Sequence, residues 1–314
     1  MPDKLIRFRG ATRTARRRPV ILAIAGDSAS GKTTVASGLV EVLGPQRCVS
    51  ISTDDYHRFD REERAAKPFT VLHPDCNYLE ILGQHLQLLA TGQPILKPVY
   101  DHASGRLTRP ELVEPRDFVI VEGLLPLHNK LARACFDITV FLDPAEHVRE
   151  SWKIQRDTTT RNYSYEQVRA ELSSRAAESA AYIRPQQSHA DVVVRFAPIE
   201  GRDDPPDTPM SATMLLRSTI QQPDLTEILP SGLTRTMHMR LAHDNDGRPV
   251  DSVHIHGYAG EQESARLEKM LWHAFTDDGS DTPQALGRLG AGVRSTPLAV
   301  TQMLLLFHLF QCFR

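Results

Sequence analysis

Residues 26–33 read Gly-Asp-Ser-Ala-Ser-Gly-Lys-Thr, which is the spacing G-x-x-x-x-G-K-[ST] of a loop that surrounds phosphate groups. Glycine lets the backbone approach an anion closely, so that N–H groups and a helix N-terminus face the phosphates. Lys32 can reach the β- and γ-phosphates of a nucleoside triphosphate, and the Thr33 hydroxyl can bind Mg²⁺. The predicted nucleotide contacts are Gly26, Asp27, Ser28, Ala29, Ser30, Gly31, Lys32, Thr33 and Thr34.

The segments on either side of this loop have the character that the motif requires. Residues 19–25 form a short, continuous apolar run, which is typical of a buried strand in a parallel sheet. Residues 34–43 place apolar side chains at helical spacing. The alternative is a chance match in an unrelated loop, which would not need this order of strand, loop and helix. We therefore predict that the loop binds a nucleoside triphosphate.

Acidic residues follow two further predicted strands. Asp54 and Asp55 come after a strand at 48–52, and Glu122 lies near the end of the apolar run 118–123. Ligands bind at the carboxyl ends of strands in open parallel sheets. Glu122 is predicted to hold Mg²⁺ directly or through water, and one aspartate is a candidate base for phosphoryl transfer. The alternatives are an acid that only caps a turn, for Glu122, and solvated turn residues, for the aspartates.

The remaining segments indicate an α/β fold with a mostly parallel sheet flanked by helices, because predicted strands and helices alternate along the chain. The further predicted elements are helices at 78–91, 145–156 and 164–181, and strands at 137–143 and 191–196. A β-hairpin is predicted from 234–243 and 250–258, which flank an Asp-Asn-Asp-Gly turn, and helices are predicted at 261–276 and 297–312.

We divide the chain by composition into four parts. They are a basic N-terminal tail (1–18), a phosphate-loop domain (19–199), a Pro- and Asp-rich linker (200–210) and a C-terminal α+β extension (211–314). The 37 basic and 39 acidic residues leave a net charge of −2, which does not favour nucleic acid as a partner. The most apolar segment, 297–312, is interrupted by polar residues and is predicted to be a buried helix, so no membrane partner is expected. Four scattered cysteines indicate reduced thiols in a cytoplasmic protein.

Five segments together resemble the phosphoribulokinase family, in the cyanobacterial and plant form, over about residues 19–198. They read T-D-D-Y-H-R (53–58), K-P-V-Y-D-H-A-S-G (97–105), V-I-V-E-G-L-L-P-L-H (119–128), W-K-I-Q-R-D (152–157) and A-Y-I-R-P-Q-Q-S-H-A-D-V-V-V (181–194). The resemblance implies a P-loop NTPase fold, ATP and Mg²⁺, a homodimer, and phosphorylation of ribulose 5-phosphate at its C1 hydroxyl.

The same resemblance implies roles for single residues. Asp54 matches the proposed general base, His57 and Arg61 match sugar-phosphate ligands, and Arg58 is a helper at most. Tyr100 and His102 are also predicted to bind the substrate. The related uridine kinases usually place an aromatic residue where this chain has His102, so His102 favours a sugar phosphate over a nucleoside. The family's K-x-x-R-D pattern also implies catalytic or substrate-binding roles for a further set: Lys153, Arg156, Asp157 and Arg161.

The four residues of that last set have the spacing of one helix face, so that their cations can neutralise charge that develops on the γ-phosphate. The alternative is a surface helix with ordinary ion pairs. Two other functions stay open for the whole chain. One is a uridine kinase-like enzyme or another pentose-phosphate kinase, and the other is a nucleotide-binding regulatory protein.

Two features lie outside this pattern. His238, His254 and His256 are expected to alternate on an exposed strand face, since nothing in their spacing specifies a metal site. The plant form of the family has a regulatory cysteine pair, and the matching positions here are Ser30 and Ser52. The chain is therefore expected to lack that thiol regulation.

Overall fold

The computed structural model describes residues 18–199, 209–226, 228–229, 235–277 and 279–313. The predicted basic tail, apart from its last residue, and most of the predicted linker lie outside the described residues. The strands are β1 (Val20–Gly26), β2 (Cys48–Ser52), β3 (Ile95–Asp101), β4 (Arg106–Val113), β5 (Phe118–Gly123), β6 (Ile138–Leu142), β7 (Val192–Ala197), β8 (Ser211–Arg217), β9 (Met237–His243) and β10 (Pro249–Ile255). The α-helices are α1 (Lys32–Leu43), α2 (Arg61–Ala65), α3 (Leu79–Ala90), α4 (Lys130–Arg133), α5 (Glu146–Thr160), α6 (Tyr165–Glu178), α7 (Glu261–Phe275) and α8 (Thr296–Cys312).

One sheet of eight strands organises the molecule, in the order β2-β5-β1-β6-β7-β8-β10-β9. The first five strands are parallel, and the last three are joined to them and to each other by antiparallel pairing. The predicted mostly parallel sheet is therefore confirmed. The chain crosses to opposite sides of β1 to form β5 and β6, and this change of direction opens a crevice at the carboxyl end of β1.

Two apolar layers cover the sheet. On one face, α1, α7 and α8 pack against alternate residues of the sheet, such as Leu22 and Met214. On the other face, α3 and the segments beside it pack against residues such as Ala23 and Val121. Every residue of β1 is buried, because a parallel strand in the middle of a sheet is covered on both sides.

Besides the short helices α2 and α4, two parts of the β-structure were not predicted from the sequence. The first is the antiparallel hairpin of β3 and β4, which forms a separate sheet of two strands. Seven of the eight residues of β4 are exposed, so the strand has no apolar face from which to recognise it. The second is β8, which pairs with β7 and β10 and connects the predicted C-terminal hairpin to the main sheet.

Helix α8 confirms the prediction of a buried C-terminal helix, since it packs into the core around Leu304 and Leu305. It also buries three polar side chains, Thr301, Gln302 and His308. None of the described helices is both long enough and apolar enough to span a membrane.

Candidate active site

The predicted phosphate loop connects β1 to α1 and turns sharply around Gly31, which has φ 92° in the left-handed region. A side chain is strained in that conformation, so glycine is required there. Lys32 folds over the loop and donates to the carbonyl oxygens of Gly26 (3.1 Å) and Asp27 (2.7 Å). Burial lowers the pKa of its ammonium, and the nearby carboxylates of Glu122 and Asp54 offset this only in part.

Thr33 and Glu122 form an oxygen-rich pair beside the loop. The Thr33 hydroxyl donates to Glu122 Oε1 at 3.3 Å, because β5 pairs directly with β1 and ends at the same edge. Burial of the Glu122 carboxyl raises its pKa, despite the attraction of Lys32. A hydroxyl and a carboxylate are the kind of donors that Mg²⁺ uses when water and phosphate oxygens complete its shell. These two residues therefore fit the predicted metal site.

Asp54 is the second residue of a short 3-10 turn (Thr53–Tyr56) after β2, and its N–H donates to Ser52 Oγ at 3.3 Å. Its side chain is 32% exposed, and His102 Nε2 lies 3.8 Å from Oδ2. Burial would raise the pKa of this carboxyl, but the positive charges of His57 and Lys32 outweigh burial and lower it. Asp54 is therefore an ionised, accessible carboxylate close to the phosphate loop.

Asp55 has a different environment from its neighbour in sequence. One of its oxygens accepts a hydrogen bond from Lys97, whose side chain is buried, and the other accepts from the Tyr100 N–H at 3.0 Å. Both partners belong to β3. The carboxylate of Asp55 is thus occupied in attaching the β3–β4 hairpin to the turn that carries Asp54.

Three aromatic rings stand beside Asp54. The Tyr100 ring makes edge contacts with His57 and His102, at centroid distances of 4.9 Å and 5.2 Å. His57 is held by a hydrogen bond of 2.8 Å between its Nδ1 and Asn77 Oδ1. Since the Asn77 amide nitrogen donates to two carbonyl oxygens, Nδ1 of His57 must carry the proton in this bond. Burial lowers the pKa of His57, although the Asp54 carboxylate attracts its charged form.

Arg64 is a residue of this cluster that the sequence reasoning missed. Its guanidinium carbon lies 6.0 Å from the centre of the Tyr100 ring. Arg64 Nη1 and the Tyr100 hydroxyl are both buried, and neither has a hydrogen-bond partner in the part of the chain that the structure describes. Unsatisfied donors on two neighbouring side chains are the arrangement expected where a phosphate binds. The signal available in the sequence was the spacing of Arg61 and Arg64, which places both on one face of α2.

Two of the arginines that were predicted from the sequence, Arg61 and Arg58, lie in different surroundings. Arg61 donates from Nη2 to the carbonyl oxygen of His102 at 2.5 Å, so it lies at the turn of the β3–β4 hairpin. Arg58 lies over the Tyr78 ring, at 5.1 Å from its centre, and 3.9 Å from Glu80 of α3. The structure therefore does not show Arg58 in contact with the Asp54 group.

The four predicted residues of 153–161 form a network around Asp157. Its carboxylate lies 2.6 Å from Lys153 Nζ, 2.8 Å from Arg156 Nε and 3.5 Å from Arg161 Nη1. Because α5 ends at Thr160, Arg161 is its C-terminal cap and not a member of the predicted helix face. Among these cations, Arg156 contacts the phosphate loop, with Nη2 at 3.4 Å from Ser28 Oγ.

Lys153 itself is buried and also lies 3.1 Å from Glu171, so it joins α5 to α6. The sequence reasoning also missed two residues that hold the loop from outside. Arg149 donates to the Ser28 carbonyl at 3.2 Å, and the Ser179 hydroxyl donates to Asp27. Arg149 lies seven residues before Arg156, a helical spacing that could have indicated it.

The three histidines of the C-terminal hairpin are close together, with ring centroids 4.5–5.2 Å apart. His254 Nδ1 lies 2.8 Å from Thr213 Oγ1, and burial together with its histidine neighbours lowers the pKa of His254 to about 4. In the described part of the chain, no group of three or more His, Cys, Asp or Glu side chains is arranged to hold a metal ion. Cys48, Cys76 and Cys135 are buried free thiols.

The phosphate loop, the acid of β5 and the sheet order define a P-loop kinase fold. The family model described as "Phosphoribulokinase / Uridine kinase family" matches residues 21–201, and this chain belongs to that family. A phosphoribulokinase from Synechocystis sp. is 40% identical over 181 residues, which are 58% of this chain and 54% of that protein. A uridine kinase from Chloroflexus aurantiacus is 34% identical over 181 residues, which are 56% of this chain and 86% of that protein.

A solved structure of phosphoribulokinase from Rhodobacter spheroides shares the fold, with a TM-score of 0.56 at 20% identity over 77% of this chain and 91% of that one. This chain spans about half the length of the phosphoribulokinase relatives that it matches in sequence.

Proposed function

We propose that this protein is a phosphoribulokinase, which transfers the γ-phosphoryl group of ATP to the C1 hydroxyl of ribulose 5-phosphate. The observation that carries this proposal is the position of Asp54, an ionised carboxylate between the phosphate loop and a cluster of cationic and aromatic side chains. A base at this point can remove a proton from a hydroxyl while the rest of the acceptor binds to the cluster.

In the proposed reaction, the phosphate loop and Lys32 bind the triphosphate, and the substrate phosphate binds to Arg61 and Arg64 beside Tyr100. His57 Nε2 and His102 contact the sugar hydroxyls. Asp54 accepts the proton of the C1 hydroxyl as its oxygen attacks the γ-phosphorus and ADP leaves.

Two further sets of residues support that transfer. Thr33 and Glu122 would hold Mg²⁺, which would supply positive charge to the transferred group. Arg156 and Arg161 add positive charge above the loop, and the pair of Lys153 and Asp157 orients them.

A uridine kinase-like activity is the second candidate, because the uridine kinase relative is matched over most of its own length. The feature that favours a sugar phosphate instead is the unsatisfied Nη1 of Arg64, since a nucleoside carries no phosphate to bind it. A purely regulatory nucleotide-binding protein would not need an ionised base at Asp54.

The experiment that tests the proposal is ATP turnover, measured as ADP release, with ribulose 5-phosphate, other pentose phosphates, uridine and cytidine as acceptors. We expect ribulose 5-phosphate to have the highest kcat/KM. Higher kcat/KM with uridine would favour the second candidate, and no turnover with any acceptor would favour the regulatory protein.

We also propose that the protein is a cytoplasmic homodimer, in which 19–199 form the kinase unit and 211–314 extend it. Within the described residues, the outer edge of β9 has no partner strand, and such an edge can pair with a second copy. Light scattering after size-exclusion chromatography measures the dimer directly.

A further inference from the structure

The last helix of the chain lies directly against the helix that begins at the phosphate loop. The contact between α8 and α1 is close because residue 38 is a glycine. A Cβ atom at Gly38 would lie 2.2 Å from the amide nitrogen of Gln302. The glycine therefore leaves the space that the Gln302 amide occupies.

The amide of Gln302 is fully buried and uses its hydrogen-bonding groups to join three segments. Its nitrogen donates to the carbonyl oxygens of Thr34 (3.1 Å) and Val35 (3.2 Å), in the first turn of α1. Its oxygen accepts from the Gly287 N–H at 2.8 Å. These bonds attach α8 and the segment before it to the part of α1 that follows Lys32 and Thr33.

We propose that Gln302 is a positioning residue of the nucleotide site, and that α8 thereby sets the position of the phosphate loop. This inference rests on the proposed binding of ATP to that loop. Hydrogen bonds to the first turn of α1 restrict how far that turn can shift, and the same turn presents the N–H groups and the Thr33 hydroxyl to the phosphates. Gln302 lies outside the segment 21–201 that matches the family, so this role belongs to the C-terminal part of the chain.

The first test replaces Gln302 by leucine in the full chain, which keeps the side-chain volume and removes all three hydrogen bonds. Titration calorimetry with ATP and Mg²⁺, in the absence of any acceptor, should show Kd raised about tenfold, which corresponds to ~1.4 kcal/mol. The matched control is Thr301→Val, because Thr301 is buried on the same helix and its hydroxyl donates within α8 to the Pro297 carbonyl at 2.8 Å. That variant should lower Tm while leaving the ATP Kd unchanged.

The second test approaches the contact from the other helix, in case Gln302→Leu does not fold. Gly38→Ala should displace the Gln302 amide and weaken ATP binding by a similar factor. Adding Gly38→Ala to a Gln302→Ala variant should cause little further loss of ATP affinity, because the alanine at position 302 leaves room for the new methyl group at position 38.

The outcomes separate this inference from the proposed function. Wild-type protein that binds ATP, together with folded Gly38→Ala or Gln302→Leu variants of unchanged ATP Kd, would overturn the role of Gln302 alone. A wild-type protein that does not bind ATP would overturn both proposals. A loss of ATP affinity in both variants but not in Thr301→Val is the result that supports the inference.

Discussion

At the scale of single residues, the adjacent carboxylates of Asp54 and Asp55 differ in their surroundings and therefore in the roles that we propose for them. Asp54 is partly exposed and has cations around it, whereas Asp55 is bonded to Lys97 and to the backbone of Tyr100. The same chemical group can therefore act as a base at one position and as a structural link at the next. This difference yields the most direct prediction about catalysis.

Replacing Asp54 by asparagine should lower kcat by roughly 10²–10⁴-fold while KM for ATP changes little, because the proton acceptor is lost and the nucleotide contacts remain. Asp55→Asn should have a much smaller effect on kcat. Steady-state kinetics with both substrates measures this. Equal losses of kcat at both positions would show that the base has been assigned to the wrong carboxylate.

A second prediction concerns the substrate phosphate. A charge-assisted hydrogen bond contributes about 1.5–3 kcal/mol, so Arg64→Met and Arg61→Met should each raise KM for ribulose 5-phosphate about 10- to 150-fold, with little change for ATP. Arg58→Met should change KM for ribulose 5-phosphate least of the three, since Arg58 lies against Tyr78 and Glu80. A selective defect in KM for ATP at Arg64 would place this residue on the nucleotide side.

A third prediction concerns the cysteines. Burial raises the pKa of the Cys48 thiol to about 12, so almost no reactive thiolate is present at neutral pH. Ser52, where the plant form has a cysteine, accepts a hydrogen bond from the Asp54 N–H. Turnover should be the same after a reductant and after a mild disulfide-forming oxidant, with peptide mapping as the check. Reversible loss of activity with a mapped bridge through Cys48 would contradict this.

At the scale of elements, the β3–β4 hairpin decides whether the acceptor side of the site is complete. It carries Tyr100 and His102 but has no sheet neighbour other than its own two strands. Its position depends on side-chain contacts with the turn after β2 and with α2, where Asp60 Oδ1 accepts from the Leu107 N–H at 2.7 Å. A few hydrogen bonds therefore hold Tyr100 and His102, the residues that we propose to lie against the sugar phosphate, in place.

Lys97→Met should loosen this hairpin and raise KM for ribulose 5-phosphate about tenfold, the change expected from one lost charged contact. The ammonium of Lys97 is buried against Asp55, so the variant should also lower the free energy of unfolding. Arg109→Met, at an exposed position of the same hairpin, is the control and should leave both quantities unchanged. An altered KM for ATP with normal KM for the sugar phosphate would exclude this role for Lys97.

At the scale of the whole molecule, the extended sheet and α8 make the C-terminal part of the chain a large share of the core. That core contains His308, whose side chain is 1% exposed. Burial lowers its pKa to about 4, although Asp191 attracts the charged form. The unfolded chain, with a histidine pKa of about 6.5, binds the proton more readily. The contribution of neutral, buried His308 to the stability of the fold is therefore complete above about pH 6.5 and is lost as the pH falls towards 4.

When the pH is lowered from 8 to 5, His308 alone should reduce the free energy of unfolding by ~2 kcal/mol. This follows from its pKa of about 4 in the folded protein and about 6.5 in the unfolded chain. Urea unfolding at several pH values measures this dependence. His308→Leu should flatten it, whereas His243→Leu, at an exposed position, should not. A wild-type protein as stable at pH 5 as at pH 8 would contradict the prediction.

The sequence by itself determined the phosphate loop, the parallel core strands and the acids at their ends. These features depend on local patterns, because a continuous apolar strand, a glycine turn and an amphipathic helix form from neighbouring residues. The same patterns place Lys32, Thr33, Asp54 and Glu122 at one edge of the sheet. The resemblance of short motifs then supplied the expected substrate.

Only the tertiary structure decided which of these residues meet. The division between Asp54 and Asp55 depends on Lys97, 42 residues further along the chain, and the contact of Gln302 with Thr34 spans 268 residues. The exposed strand β4 and the unsatisfied Nη1 of Arg64 likewise have no periodic signal of their own. Pairing between distant segments is set by the packing of the whole fold, and therefore a local pattern cannot specify it.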